Sequence, residues 1–278
     1  MHSNPGSWQD ARRIDVHNHV WDVDRGGGGP WRGKLDIGHA ERLLHRGDRL
    51  GIDFFCVSAP LTGDAPTPDE VCRANDVVLQ AMALSDRFVG FCYLNPGYAR
   101  EALLEIERCV VGGGMRGVKL YHQYLVCDPA QRPVMDRAAE LGVPVLMHAG
   151  KVTDTANRAR QPRLSNAAHF LAAAQMYPGA TLIQAHIGGG GDWEWNLRVL
   201  EEAPPNVVID TSGSVIDRGI VDRTVATMGV ERVLFATDGS LEEGVGKVLE
   251  ANLTPTEQAM VFAGNARRIL AGKEDWIP

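Results

Sequence analysis

The sequence predicts a single-domain α/β protein, an eight-stranded (β/α)8 TIM barrel. Eight short apolar segments alternate over 278 residues with longer segments that have the apolar spacing of helices. Most of the short segments are nearly continuous apolar runs, as expected of parallel strands that are buried on both faces. Eight β-then-α units in a chain of this length indicate a closed barrel, which commonly takes about 250 residues.

An open, doubly wound sheet is the alternative architecture. Such a sheet usually has fewer strands and a glycine-rich phosphate turn after the first of them. Here the first strand ends in His17-Asn18-His19, which contains no glycine, and the barrel is therefore favoured.

Start signals mark several of the helical segments between the strands. Thr67-Pro68-Asp69-Glu70 and Thr254-Pro255-Thr256-Glu257 each combine a capping threonine, a proline in the first turn and a glutamate three residues on. The predicted strands are, in chain order, Ile14–His19, Phe54–Ala59, Val89–Asn95, Gly117–His122, Pro144–His148, Leu182–His186, Val207–Thr211 and Val233–Asp238.

Residues 1–12 are predicted to form a loose polar arm, and residues 13–278 the barrel. Four successive glycines before Pro30 interrupt the loop after the first strand, and such a segment cannot pack a core. The segment is either a surface insertion or a lid beside the site, because loops at this end of a barrel carry function.

The composition limits the partners and the compartment. The formal charge of −7 argues against nucleic acid or an anionic membrane as a partner. No apolar run approaches the roughly 20 residues of a membrane helix, and the polar start lacks the apolar core of a secretory signal. Five cysteines without a Cys-x-x-Cys pair fit a reducing compartment, so a cytoplasmic protein is expected.

Two histidines at the end of the first strand indicate a metal site. Residues i and i+2 of a strand point the same way, so His17 and His19 emerge side by side. Imidazole is the commonest metal ligand in proteins, although a pair of hydrogen-bonded histidines is the alternative interpretation.

Other polar residues fall at strand ends that meet at the same face of a parallel barrel. Each by itself is explained as readily by a structural hydrogen bond or a helix cap, but six together at one mouth are not. Imidazole and carboxylate are ligands for Zn²⁺ and similar ions, and three histidines with one aspartate leave a position open for water. These residues are His17, His19, Lys119, His148, His186 and Asp238.

The same residues, with their neighbours, resemble the amidohydrolase superfamily. The resemblance is closest to its compact branch of metal-dependent hydrolases, lactonases and the aminocarboxymuconate-semialdehyde decarboxylase type, and it covers nearly the whole chain. It lies in the segments Gly117-Val-Lys-Leu-Tyr-His122, Val145-Leu-Met-His-Ala-Gly150, Gln184-Ala-His-Ile-Gly-Gly189, Phe235-Ala-Thr-Asp238 and Gly264-Asn-Ala-Arg-Arg-Ile-Leu270.

The resemblance implies one divalent metal, expected to be Zn²⁺, held by His17, His19, His148 and Asp238, with His186 as a catalytic residue beside it. In two-metal members a carboxylated strand-four lysine bridges the ions and the strand-six histidine is a ligand. Lys119 and His186 leave that arrangement open.

The predicted function is that of a hydrolase that cleaves an ester, lactone or amide with a metal-activated water. Asp238 would accept the water proton and His186 would polarise the carbonyl group. A non-oxidative decarboxylase is the alternative; because that type does not depend on a strand-four lysine, Lys119 favours hydrolysis. A non-catalytic metal-binding barrel is the third hypothesis.

A basic segment follows the fifth strand. Lys151, Arg158, Arg160 and Arg163 outnumber one acid, Asp154, and either attract an anionic substrate or form a solvated surface. The expected partner is a small molecule, an anionic one if this segment attracts it, and the resemblance allows a homodimer.

Overall fold

The computed structural model describes residues 12–25, 31–63, 65–187 and 191–271, and these form a (β/α)8 barrel as predicted. The eight strands pair in parallel with their sequence neighbours, in the order β1 to β8. Most of the predicted arm and the glycine segment before Pro30 lie outside the described residues. The strands are β1 (Ile14–His19), β2 (Phe54–Ser58), β3 (Phe88–Tyr93), β4 (Gly117–Leu120), β5 (Val145–Met147), β6 (Leu182–Gln184), β7 (Val207–Asp210) and β8 (Val233–Leu234).

Backbone hydrogen bonds join the last strand to the first. The Val16 N–H donates to the Phe235 carbonyl (3.0 Å), and the Asp238 N–H donates to the His17 carbonyl (2.8 Å). The second of these bonds places Asp238 directly beside the histidine pair.

Helices cover the outside of the barrel. The capping boxes predicted at Thr67 and Thr254 are both present, each closed by the glutamate three residues on. Short π-helical turns at Glu107–Val111 and Met260–Gly264 continue α3 and α10. The helices are α1 (Ile37–Leu50), α2 (Pro68–Leu84), α3 (Ala99–Ile106), α4 (Arg132–Leu141), α5 (Thr155–Arg160), α6 (Ala167–Met176), α7 (Trp193–Leu200), α8 (Ile220–Met228), α9 (Leu241–Glu250), α10 (Pro255–Ala259) and α11 (Asn265–Leu270).

The apolar side chains form two cores because alternate strand residues face opposite sides of the barrel wall. The larger core lies between the strands and the helices. The smaller core lies inside the barrel, where Phe54, Phe91 and Leu234 meet Ile269 and Leu270 of α11. The interior is therefore packed with apolar groups at the α11 end, and polar groups are left for the opposite mouth.

Several strands end earlier than the sequence predicts. β6 ends at Gln184 rather than His186, and β8 ends at Leu234 rather than Asp238. His186 (φ 68°) and Asp238 (φ 48°) both have left-handed backbone conformations, which end the extended chain. Among described residues other than glycine, only these two have positive φ, and both were predicted to be functional.

All five cysteines are free thiols, in agreement with the absence of a predicted disulfide framework. None of the helices in the described part of the chain has the length and apolar character needed to cross a bilayer.

Candidate functional site at the barrel mouth

A β-bulge turns the first histidine into the barrel. The β1–β2 register pairs Asp15 with Phe55 and Asn18 with Val57, so β1 contains one extra residue between the two pairs. Val16 packs in the barrel interior, and strict alternation would turn the next side chain outward. The bulge reverses the alternation, and His17 also faces the interior.

His17 is held by a carboxylate at the end of β7. Its Nδ1 donates to Asp210 Oδ2 (2.9 Å), and this bond leaves the Nε2 lone pair directed into the site. Lys119 Nζ donates to that Nε2 (2.7 Å), and Asp238 Oδ1 lies 3.8 Å from it.

His19 is oriented in the same way by the neighbouring strand. Its Nδ1 donates to the backbone carbonyl of Ser58 (3.2 Å), and its Nε2 lies 3.0 Å from Asp238 Oδ1. Both histidines of the His-x-His pair therefore present Nε2 to the same aspartate, as expected from their spacing.

The other two histidines form a second pair across the mouth. Ser212 Oγ donates to Asp210 Oδ1 (2.6 Å) and so accepts a hydrogen bond from His186 Nδ1 (2.9 Å). His186 Nε2 then faces His148 Nδ1 at 2.9 Å. His148 Nε2 donates to Gln161 Oε1 (3.0 Å), and Gln161 thus reaches the site from the segment after β5.

The six predicted residues thus share one mouth, and three of them form the tightest group. His17, His186 and Asp238 each offer a ligand atom, and all three atoms lie within 4.8 Å of one another. Nitrogen and carboxylate donors at such distances suit a divalent transition metal ion. His19 adjoins the group through Asp238, and His148 adjoins it through His186.

Burial determines the charge states around the cavity. It lowers the pKa of His186 to about 4, so this imidazole is neutral at pH 7. Burial also lowers the pKa of Lys119 to about 8, against the opposing effect of Asp238 and Asp210, and the ammonium form still predominates at neutrality. Burial alone would raise the pKa of Asp238, but His17 and His19 outweigh it and hold that pKa well below its usual range.

Sequence reasoning missed Asp210, Ser212 and Gln161. Asp210 follows the apolar run Val207–Ile209, and the rule that identified Asp238 at a strand end would also have identified it. Gln161 carries no such signal, because a long loop brings it to His148.

A cavity of about 280 Å³ lies beside His148, His186 and Asp238. The Tyr121 ring stacks on His148 (4.4 Å between centroids, 20° between planes). The polar residues that line the cavity include His148, Gln161, His186 and Asp238, whereas Val152 and Leu164 provide apolar surface. Its size suits a small molecule.

Comparison with known families places the chain in the amidohydrolase family, whose profile matches residues 14–271. The match spans nearly the whole barrel and confirms the superfamily resemblance. The chain is thus an enzyme of the amidohydrolase superfamily by family membership. No protein among curated sequences matches it.

Solved structures with similar folds include two decarboxylases and a hydratase. The 2,6-dihydroxybenzoate decarboxylase from Rhizobium is 21% identical, with a TM-score of 0.72 over 94% of this chain and 98% of that one. A dihydroxybenzoic acid decarboxylase from Polaromonas, solved with manganese and 2-nitroresorcinol, is 18% identical, with a TM-score of 0.70 and 94% and 97% covered. The 4-oxalomesaconate hydratase from Rhodopseudomonas palustris is 19% identical, with a TM-score of 0.72 and 93% and 95% covered.

Proposed function

We propose that this chain is a metal-dependent enzyme that decarboxylates a small carboxylated molecule without an oxidant. The observation that carries the proposal is the arrangement of two neutral histidine pairs around one carboxylate, with the Lys119 ammonium beneath them. An anionic substrate fits this mouth because the lysine adds a buried positive charge to that of a bound cation. Decarboxylases of the same fold support this reaction over the hydrolysis that the sequence favoured.

The donor set fits a divalent ion. His17, His19, His148 and Asp238 would hold one ion, as the family resemblance implies, with His186 beside it. The lone pairs of His17 and His19 already point at Asp238, because Asp210 and Ser58 bind the opposite ring nitrogens. When bound, the ion supplies a Lewis acid that binds the substrate carboxylate. Both Mn²⁺ and Zn²⁺ accept this mixture of nitrogen and oxygen ligands.

The residues around the ion orient the substrate and supply the proton. Decarboxylation breaks one carbon–carbon bond, releases carbon dioxide and leaves an electron pair on the substrate carbon. Asp238 Oδ2 lies 4.0 Å from His186 Nδ1. Because the aspartate is ionised and the imidazole is neutral at pH 7, Asp238 would first accept a proton from solvent and then pass it to the substrate carbon in place of the carboxyl group. Tyr121 stacks on the His148 ring and would hold its orientation, and Val152 and Leu164 offer apolar surface to the substrate.

Hydrolysis is the second candidate, and Lys119 is the observation that favours it. Its Nζ lies 2.7 Å from His17 Nε2. The family resemblance implies that a carboxylated lysine on this strand, with His186 as a further ligand, would help to hold a second ion. In that case Asp238 would take a proton from the attacking water. The products separate the two reactions, because decarboxylation releases carbon dioxide and hydrolysis consumes water.

Metal titration and product analysis test the proposal. Mn²⁺ and Zn²⁺ are added to metal-free protein in a calorimeter, and the loaded enzyme is given hydroxybenzoates and, separately, lactones and esters. Saturable metal uptake with carbon dioxide release supports the proposal, whereas ester or lactone cleavage without carbon dioxide would establish hydrolysis. Absence of metal uptake would refute the proposal, and metal uptake without turnover of any of these compounds would support the non-catalytic metal-binding barrel.

The variant Asp238→Asn tests the site itself. Loss of the carboxylate should weaken metal binding and reduce turnover by about 10²–10³-fold, because the charge that faces the ion is removed. His45→Ala is the control, since this exposed histidine of α1 lies outside the site and should leave both measurements unchanged. Full turnover of Asp238→Asn in chelator-treated protein would contradict the mechanism.

A further inference from the structure

We propose that a cationic subsite beside the barrel mouth binds a second anionic group of the substrate. The subsite lies in a cavity of about 850 Å³ formed by the segment between β5 and α6, and Lys151 and Arg158 are its cations. The inference rests on the proposed function, because the first anionic group is the one expected at the metal. It specifies the substrate as a molecule with two separated anionic groups.

The position of Lys151 is determined by two contacts. Its backbone carbonyl accepts a hydrogen bond from the Asp192 N–H (3.0 Å), and its Nζ lies 4.1 Å from the centroid of the Trp195 ring. An ammonium group over an aromatic face is held by the ring quadrupole and loses less freedom when an anion binds. The lysine is therefore preorganised rather than a freely moving surface charge.

The lining of this cavity combines cationic and apolar residues. Arg158 and Lys151 contribute cations, and His169 lies close enough for Lys151 to help lower its pKa, after the larger effect of burial. Among the described residues that line the cavity there is no carboxylate. The nearby Asp154 turns its carboxylate to the start of α5, where it accepts hydrogen bonds from the Asn157 N–H (2.8 Å) and Nδ2 (2.9 Å).

The subsite is continuous with the metal site through Gln161. Val152, Gln161 and Leu164 line both cavities, and the Gln161 amide also hydrogen-bonds to His148. A ligand that crosses this boundary has one end at the histidines and the other among the cations. The apolar pair Val152 and Leu164 suits a hydrocarbon spacer between the two charged groups.

The cations at this cavity contrast with the negative net charge of the chain as a whole. A formal charge of −7 repels anions on average, so a local group of cations facing a cavity must overcome that field. Arg160 lies on the same helix but does not line the cavity, and it provides a matched comparison.

Binding of short acids tests the subsite. Succinate, adipate and suberate are each compared by calorimetry with the monocarboxylate of the same chain length, using the Mn²⁺-loaded protein. The dicarboxylate whose length fits should bind about tenfold more tightly than its partner, since a charge-assisted contact is gained. A phosphonocarboxylate of that length shows whether the second group is better a carboxylate or a phosphate-like anion.

Variants of the basic residues then show which of them cause the preference for a dicarboxylate. Lys151→Met and Arg158→Met together keep the apolar stems and should reduce the dicarboxylate affinity to that of the monocarboxylate. The control Arg160→Met should leave the tenfold difference in place. If no dicarboxylate exceeds its partner, or if the double variant retains the difference, the subsite is refuted.

The two proposals fail in distinguishable ways. Absence of Mn²⁺ uptake refutes the metal enzyme, and the dicarboxylate preference is then measured on the metal-free protein, where the cations still act. Normal Mn²⁺ uptake with equal affinities for both acids refutes the subsite alone.

Discussion

Asp210 and Glu105 are both buried carboxylates that accept several hydrogen bonds, yet only Asp210 lies at the candidate site. Asp210 accepts from His17 Nδ1, the His186 N–H and both the N–H and Oγ of Ser212. Glu105 accepts from Arg108 Nε (2.8 Å) and NH2 (2.6 Å) and from Asn75 Nδ2 (2.9 Å), outside the barrel wall.

The two carboxylates differ in how their hydrogen-bond partners use their other polar atoms. Arg108 neutralises Glu105 and donates its other N–H groups to Asp76 and the Cys72 carbonyl, so the cluster is complete in itself. Neutral imidazoles surround Asp210, and the second nitrogen of each faces another polar group of the mouth, Lys119 Nζ for His17 and His148 Nδ1 for His186. A buried carboxylate thus marks a functional site when its partners carry potential metal-ligand atoms, and a structural cluster when they do not.

Asn75→Ala should give the largest effect on the structural side of this comparison. The Asn75 amide bonds both the N–H and the carbonyl of Tyr93 as well as Glu105, so its loss removes a partner from two buried backbone groups and one hydrogen bond from a buried carboxylate. The free energy of unfolding should fall by about 3 kcal/mol, as measured by urea denaturation. Metal affinity should stay within threefold of wild type, and a larger change would show that the clusters are coupled.

Asp210→Asn should act mainly on metal affinity, whereas Asn75→Ala should act mainly on the free energy of unfolding. The amide cannot accept from all four donors, so His17 loses the partner that fixes its tautomer, and metal affinity should fall about 10–100-fold. Calorimetric Mn²⁺ titration measures this loss. Wild-type affinity in this variant would mean that Asp210 is only a structural carboxylate and would remove the distinction from Glu105.

Glu105→Gln should have the smallest effect, and its size should depend on pH. Burial raises the pKa of Glu105, but the hydrogen bonds from Arg108 and Asn75 outweigh it, and the net shift is downward from 4.5. A lowered pKa in the folded state stabilises the fold above the unfolded value, and this stabilisation is lost as the pH falls through the lowered pKa.

The difference in unfolding free energy between wild type and Glu105→Gln should therefore be about 1–2 kcal/mol at neutral pH. It should decrease as the pH falls from the unfolded-state pKa of about 4.3 towards the lowered pKa of Glu105 in the folded protein. Urea denaturation over this pH range measures it, and a difference that is constant with pH would mean that the charge of Glu105 contributes nothing.

The residues at the barrel mouth show what the alternation of side chains along a strand predicts and what it does not. The spacing of His17 and His19 predicts that the two imidazoles emerge side by side, and in the structure both Nε2 atoms lie within 4 Å of Asp238 Oδ1. It does not predict which way the pair faces, because the apolar Val16 before it also points inward. Val16 and His17 can both face the interior because a β-bulge lies between Asp15 and Asn18.

The position of His186 also depends on a local departure from strand alternation. Ile183 and Ala185 face the interior, so alternation would turn the next side chain to the helices. A left-handed backbone at φ 68° brings it back to His148 and Ser212, at a cost of about 1–3 kcal/mol that the surrounding hydrogen bonds must offset.

The sequence by itself determined the eight-stranded barrel and the mouth at which six polar residues meet. Apolar runs and helix caps are local, and parallel strands bring their ends to one face whatever their details. The tertiary structure decided which side chains face inward, and it added Asp210 and Gln161 to the site. Those features depend on contacts such as Asp210 with His17, 193 residues apart in the chain, which no local pattern records.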